Sequence, residues 1–277
     1  MGSYLSPKYI NQRQRYVAGA FGEFVGTAYF LFMGVGGAVN FLNNAAGSPL
    51  PGFAIPFCFG FSLFVNVFIW APISGGVFNP SITIALMATN PKEFPWYRGI
   101  LYIVCQFLGA LFGSWLIDLI QPEAPNAATL LADGVSVAQG LFLEMFATSV
   151  LTMAVLILAG ERHGKYVAPF GIGMSLFISA LCAGPYTGAS LNPARTLGPA
   201  IVANQYGRAH WIYYVGPTLG SLLAAGYWHI LRILDIDVVD LKNALKKCEI
   251  CRKEDPKIRK CEECVDKETK GEKHDVV

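Results

Sequence analysis

Residues 56–81 read PFCFGFSLFVNVFIWAPISGGVFNPS, and residues 169–194 read PFGIGMSLFISALCAGPYTGASLNPA. Set one under the other, they stay in register without a gap at an offset of 113 residues. Pro56 falls on Pro169, Ser62 on Ser175, Leu63-Phe64 on Leu176-Phe177, Pro72 on Pro185, Gly75 on Gly188 and Asn79-Pro80 on Asn192-Pro193. The chain is therefore an internal duplication. In each copy an apolar run ends in a Gly/Pro-rich loop, then Asn-Pro, then a short apolar segment. Asn suits a helix N-cap. Pro suits the first helical position, where its missing N–H would have had no partner anyway. Irregular backbone followed by a half-helix at membrane depth is tolerated only where it lines a cavity. Such segments paired across two repeats point at a transport site.

Composition places the duplication in a membrane. The 277 residues are 53% hydrophobic and 14% charged, too apolar for an ordinary soluble domain. The charges are also segregated: 12 of the 21 Lys and Arg lie from Arg232 onward, and 12 of the 19 Asp and Glu from Asp235 onward. Residues 1–16 form a polar leader without the apolar core of a signal peptide. Residues 17–231 form the membrane domain, with repeats at about 17–121 and 136–231, and residues 232–277 a charged tail. Nothing in the charge pattern calls for nucleic acid.

Within the membrane domain six stretches approach the ~20 residues that cross the hydrocarbon. They lie at 17–42, 53–74, 98–121, 136–160, 167–184 and 211–231, with half-helices at 79–89 and 192–203. The predicted fold is an all-α membrane protein of six transmembrane helices plus two half-helices. Three spans per repeat is an odd number, so the halves insert with opposite orientation. Weaker echoes support the pairing: Glu23-x-x-x-Thr27 matches Glu144-x-x-x-Thr148, and Gly109-Ala110 matches Gly220-Ser221. Small residues at such places let helices approach closely.

Basic residues orient the chain. Lys8, Arg13 and Arg15 lie in the leader, Lys92 and Arg98 after the first half-helix, Arg162 and Lys165 in the fourth connection, and many more in the tail. Connections 43–52 and 122–135 have none, and the second carries Glu123 and Asp133. Both termini are predicted to be cytoplasmic, in a multi-pass protein assigned to the plasma membrane. The half-helices then enter from opposite faces with their N-termini meeting near mid-membrane.

At this point the chain resembles the aquaporin, or major intrinsic protein, family over residues 17–231. The resemblance is carried by Asn79-Pro80-Ser81 and Asn192-Pro193-Ala194, with Arg195 after the second and Gly75 and Gly188 four residues upstream. It implies a right-handed bundle with one pore per subunit, a homotetramer, and passive flow of water or small neutral solutes without proton leakage. It also implies that the backbone carbonyls of Gly75, Gly76, Val77 and Phe78, and of Gly188, Ala189, Ser190 and Leu191, line the pore as a ladder of acceptors. If Asn79 and Asn192 cap their own helices through the side-chain oxygen, both NH₂ groups are left free to donate into the pore. Both helix dipoles then point their positive ends at the same spot, which repels a cation and not water.

Carried over by distance from the motifs, the family's aromatic/arginine constriction falls on Phe59, Ala180, Ala189 and Arg195. Strict water channels of the family carry His where this chain has Ala180, so this mouth is expected to be wider and less polar. Glycerol-conducting relatives carry Asp where Thr196 stands and a Pro-containing pair where Tyr213-Tyr214 stands. The subgroup markers favour water, with hydrogen peroxide or another small neutral solute as a second permeant, and a glycerol or small-polyol facilitator as the alternative. The pattern is most similar to microbial eukaryotic, fungal-type members. Ser81 replaces the usual Ala of the first motif, and its hydroxyl is expected to bond nearby backbone.

The tail holds Cys248-x₂-Cys251 and, nine residues on, Cys261-x₂-Cys264. Paired C-x₂-C is the spacing of a four-thiolate structural zinc site, although the intervening loop is shorter than usual. The competing reading is a tail of free thiols. Cys58, Cys105 and Cys182 lie in the spans and read as core fillers. A membrane adaptor acting through the Cys-rich tail is the alternative from another class. An intramembrane enzyme is not supported: no span holds a Ser/His/Asp set, H-E-x-x-H or paired aspartates.

Overall fold

The computed structural model describes residues 12–44, 50–122, 127–159 and 164–234. The described chain is all-helical: α1 (Gln12–Asn44), α2 (Leu50–Trp70), α3 (Pro80–Thr89), α4 (Trp96–Ile120), α5 (Val137–Leu158), α6 (Gly164–Thr187), α7 (Pro193–Ala203) and α8 (Ile212–Ile233). Five of these, α1, α2, α4, α5 and α6, are long and apolar enough to cross a membrane. The sixth span, α8, has the 22-residue length of α5 and packs on it as α4 packs on α1. The short helices α3 and α7 begin one residue after Asn79 and Asn192, as the Asn-Pro pairs predict.

The helix boundaries fall within three residues of the expected ones except at two places. α1 begins at Gln12, so the end of the polar leader is helical. The second span was expected to reach residue 74 but α2 ends at Trp70, whereas α6 runs through Pro185 to Thr187. The first difference between the halves is one of degree. Ala71, Ser74 and Gly75 still donate to Val67, Trp70 and Ala71, and Pro72 interrupts the ladder.

The two halves are related by a pseudo-two-fold, visible in side-chain contacts. α3 packs on α8 of the other repeat and α7 on α4. Where α2 crosses α6, Gly60 faces Phe177 and the Gly173 carbonyl, and Gly173 faces Phe64 and the Gly60 carbonyl. A contact in which each partner meets the other's equivalent is the mark of a two-fold axis. The predicted Gly109 and Gly220 pair also recurs. A Cβ on Gly109 would strike the Phe24 carbonyl, and one on Gly220 the Met145 carbonyl. Both obstructions are backbone, which cannot rotate away. Gly220→Ala is therefore expected to force α5 and α8 apart at a cost of about 1–3 kcal/mol, read as a lower melting temperature in detergent.

Candidate functional site

The site is built from two loops that neither helix geometry nor the membrane would tolerate unaided. In the first, Gly75 (φ +104°), Gly76 (φ +66°) and Phe78 (φ +52°) are left-handed. In the second, Gly188 (φ +74°), Ala189 (φ +48°) and Leu191 (φ +52°) are. Glycine adopts this region without strain, but Phe78, Ala189 and Leu191 do not, so something must hold them. Each loop is held by a buried carboxyl one repeat apart. Glu23 accepts from Val77 N (3.1 Å), Phe78 N (2.8 Å), Ser74 Oγ (2.6 Å) and Gln106 Nε2 (2.8 Å). Glu144 accepts from Ser190 N (2.9 Å), Leu191 N (2.8 Å) and Thr187 Oγ1 (2.6 Å). Successive N–H groups converging on one carboxyl form a nest, which is what the left-handed residues create.

A tyrosine then closes each loop from outside. Tyr102 donates to the Ser74 carbonyl and Tyr213 to the Thr187 carbonyl, both at 2.9 Å. Arg98 backs the first tyrosine, its Nη2 donating to the Tyr102 hydroxyl at 2.9 Å. His210 packs edge-on against the second. Burial pushes the His210 imidazole below its ordinary pKa.

With the loops fixed, the two Asn residues meet. Asn79 Oδ1 accepts from Ser81 N (3.0 Å), and Asn192 Oδ1 accepts from Ala194 N (2.9 Å) and Arg195 N (3.3 Å). The expectation that both NH₂ groups are free is corrected here. Asn79 Nδ2 donates to the Leu191 carbonyl and Asn192 Nδ2 to the Phe78 carbonyl, each at 2.8 Å. These crossed bonds tie one repeat to the other, and each amide keeps one N–H.

One cavity of about 460 Å³ runs past this junction, from Leu42 and Pro51 at the α1–α2 end to Val155 and Ile172 at the α5–α6 end. Asn79 and Asn192 both lie on its wall, with Phe59, Ala180, Ala189 and Arg195. Among the described residues Arg195 is the one charged side chain on that wall. Its guanidinium stands 4.3 Å from the centre of the Phe59 ring, and its Nη1 donates to the Ala127 carbonyl at 2.9 Å. Of the residues whose carbonyls are expected to form the ladder, Gly76, Val77, Gly188, Ala189 and Ser190 line the wall. Gly75, Phe78 and Leu191 do not. Phe78 and Leu191 are fully buried, and their carbonyls take the opposing Asn amides.

The remaining motif residues, Pro80, Ser81, Pro193 and Ala194, sit buried behind the junction rather than on the wall. The Ser81 hydroxyl meets the Thr218 hydroxyl of α8 at 3.3 Å instead of backbone. Of the span cysteines, Cys58 and Cys105 are partly buried but Cys182 is exposed on α6, so it fills no core. Cys248, Cys251, Cys261 and Cys264 lie outside the described residues.

Two features of the site had no sequence expectation. The Ala127 carbonyl acts through backbone in a connection without periodicity. A string of buried hydroxyls, Thr129, Thr196 and Ser190, lies behind the second loop.

A duplicated helical membrane protein, whose capped half-helices meet on a cavity running along the bundle, is a membrane channel by construction. Residues 11–228 match the family described as Major intrinsic protein, and the chain belongs to that family of multi-pass, non-enzymatic membrane channels. It is 94% identical over 247 residues to the protein named Aquaporin-1 of Rhizophagus irregularis, covering 89% of this chain and 90% of that one. It is 41% identical over 225 residues to Aquaporin-1 of Gibberella zeae, covering 77% and 69%. Among solved structures, the aquaglyceroporin from Plasmodium falciparum superposes with a TM-score of 0.70 at 23% identity, over 80% of this chain and all of that one. That likeness shows the shared fold.

Proposed function

We propose that the chain conducts water and excludes protons and cations, and that it also passes hydrogen peroxide or a similarly small neutral solute. The observation that carries this reading is the placement of both motif amides and Arg195 on one cavity wall. A water crossing the junction would take the one remaining N–H of Asn79 and of Asn192 through its oxygen. Its hydrogens would then point away along the carbonyls of each half. Both helix N-termini add positive potential there, which opposes a hydronium and leaves water unaffected.

The apolar pair Ala180 and Ala189 beside Arg195 supports the second permeant, since neither can narrow the mouth or bond to it. The positive charges of the even-numbered connections support cytoplasmic termini. Exposed apolar side chains such as Phe21, Phe53 and Phe142 fit lipid or a neighbouring subunit of a homotetramer in the plasma membrane.

The test is osmotic. Proteoliposomes of the purified protein are expected to shrink faster than empty vesicles after a sucrose jump. An equal rate would instead favour an adaptor with a closed bundle. In the same vesicles Ala180→His is expected to spare water while lowering peroxide or glycerol flux about tenfold, the order of discrimination that one added group produces in a fitted site. Unchanged solute flux in that variant would remove Ala180 from the filter.

A further inference from the structure

The hydroxyl string behind the second loop has a single possible direction. Thr196 Oγ1 donates to Ser190 Oγ at 2.6 Å, and Ser190 Oγ donates to the Asn192 carbonyl at 3.0 Å. Each hydroxyl has one hydrogen. In the 2.8 Å contact between Thr129 and Thr196, Thr129 must therefore be the donor. The string thus starts on the connection between repeats and ends on the motif Asn of the second. Thr129, Ser190 and Thr196 are all buried.

The same connection touches the loop a second time. A Cβ on Gly188 would lie 3.2 Å from Thr129 Cα and 3.3 Å from Leu130 N, so the two backbones are in contact. Two residues before Thr129, the Ala127 carbonyl holds Arg195. Among the described residues the first repeat has no equivalent. At the 113-residue offset, Ser190 corresponds to Val77 and Arg195 to Ile82. Thr196 corresponds to Thr83, whose hydroxyl serves the Asn79 carbonyl and Gln106 within its own half. Among the described residues the string therefore exists only where the charged filter group exists.

From this asymmetry we infer that Thr129 and Thr196 are positioning residues of the filter. Their paired hydroxyls fix the 127–130 backbone on the second loop, and so set where Ala127 holds the Arg195 guanidinium. The inference rests on the channel reading. Without the pair the Ala127 carbonyl is free to drift, Arg195 follows it, and solutes larger than water are rejected less well.

The experiment uses full-length protein in liposomes, with water and glycerol permeability read on the same vesicles. The variants are Thr129→Val, Thr129→Ser and Thr196→Val. Thr129→Val keeps the side-chain shape and removes the donor. It is expected to retain water flux and to raise the glycerol-to-water ratio roughly three- to tenfold, the span corresponding to one hydrogen bond. Thr129→Ser restores the bond and is expected to restore the wild-type ratio. In an Arg195→Val background, Thr129→Val is expected to add nothing, because the group it positions is gone. A purely packing role would lower both fluxes together, leave the ratio fixed and persist in that background. That result overturns the inference. If Thr129→Val does not reconstitute, Thr196→Val reads the same bond from its other side. If neither reconstitutes, the hydroxyls hold the fold and not the filter, and the inference is wrong. A wild type no faster than empty vesicles refutes the channel reading itself, and the inference with it, whereas an unchanged ratio in a conducting wild type refutes the inference alone.

Discussion

Glu23→Leu is expected to leave almost no folded protein. Leucine fits the space but accepts nothing, and four buried N–H or O–H hydrogens lose their partner together: those of Val77 N, Phe78 N and Ser74 Oγ, and one of the two on Gln106 Nε2, whose other bond goes to Thr83. Each orphaned donor costs about 1–3 kcal/mol, so the loss is about 4–12 kcal/mol. A whole domain is stable by only about 5–15 kcal/mol. Lipid offers no water to repair the bonds, and the left-handed Phe78 is left with the crossed bond from Asn192 Nδ2 to its carbonyl. Glu144→Leu orphans two backbone donors, Ser190 N and Leu191 N, while Thr187 Oγ1 keeps the Ala183 carbonyl, so it is expected to be less severe, with Glu23→Gln milder still because one acceptor oxygen remains. The checks are the yield of monodisperse protein in detergent and its melting temperature. A Glu23→Leu protein melting within about 2 °C of wild type would mean that the carboxyl is incidental to the loop, since a loss of this size shifts the midpoint by far more.

How far the sequence leads depends on whether a feature has a side-chain signature. Asn-Pro is such a signature, and α3 and α7 start where it places them. The matched Glu23 and Glu144 were legible as a pair because duplication marks them, although their donors were not, since those are backbone N–H groups of loops. The crossed bonds from Asn79 and Asn192 were out of reach for the same reason: the acceptors are carbonyls, which every residue has. Ala127 shows the limit most clearly. It holds Arg195 through its backbone, in a connection whose sequence shows no basic residue and two acidic ones. Cys182 shows a different limit. A cysteine in an apolar helix reads the same whether it faces the core or lipid, and only packing places it on the exposed face.

Arg195→Val is expected to leave water flux in place while opening the channel to charge. The side chain is buried, and it is the one charge on the cavity wall among the described residues. It is anchored between the Ala127 carbonyl and the Phe59 ring, so its position is fixed and cannot relax to accommodate a passing ion. At an effective dielectric of about 20, a cation about 4 Å from it is opposed by about 4 kcal/mol, which is roughly a thousandfold in rate. Part of the barrier survives the substitution, because the α3 and α7 N-termini still face the junction and an ion must still shed its hydration. The expected increase in proton conductance is therefore between about ten- and a thousandfold, with glycerol flux rising as well because Val is shorter than Arg. Arg195→Lys separates charge from shape. It keeps the cation but cannot hold both the Ala127 carbonyl and the Phe59 ring through a planar fork, and is expected to keep protons out while admitting more glycerol. Proton flux is read with a pH-sensitive dye trapped in proteoliposomes under a valinomycin-clamped potential, beside the osmotic assay. Proton conductance within about twofold of wild type in Arg195→Val, with water flux intact, would assign the whole of the charge barrier to the half-helix junction and none of it to the arginine.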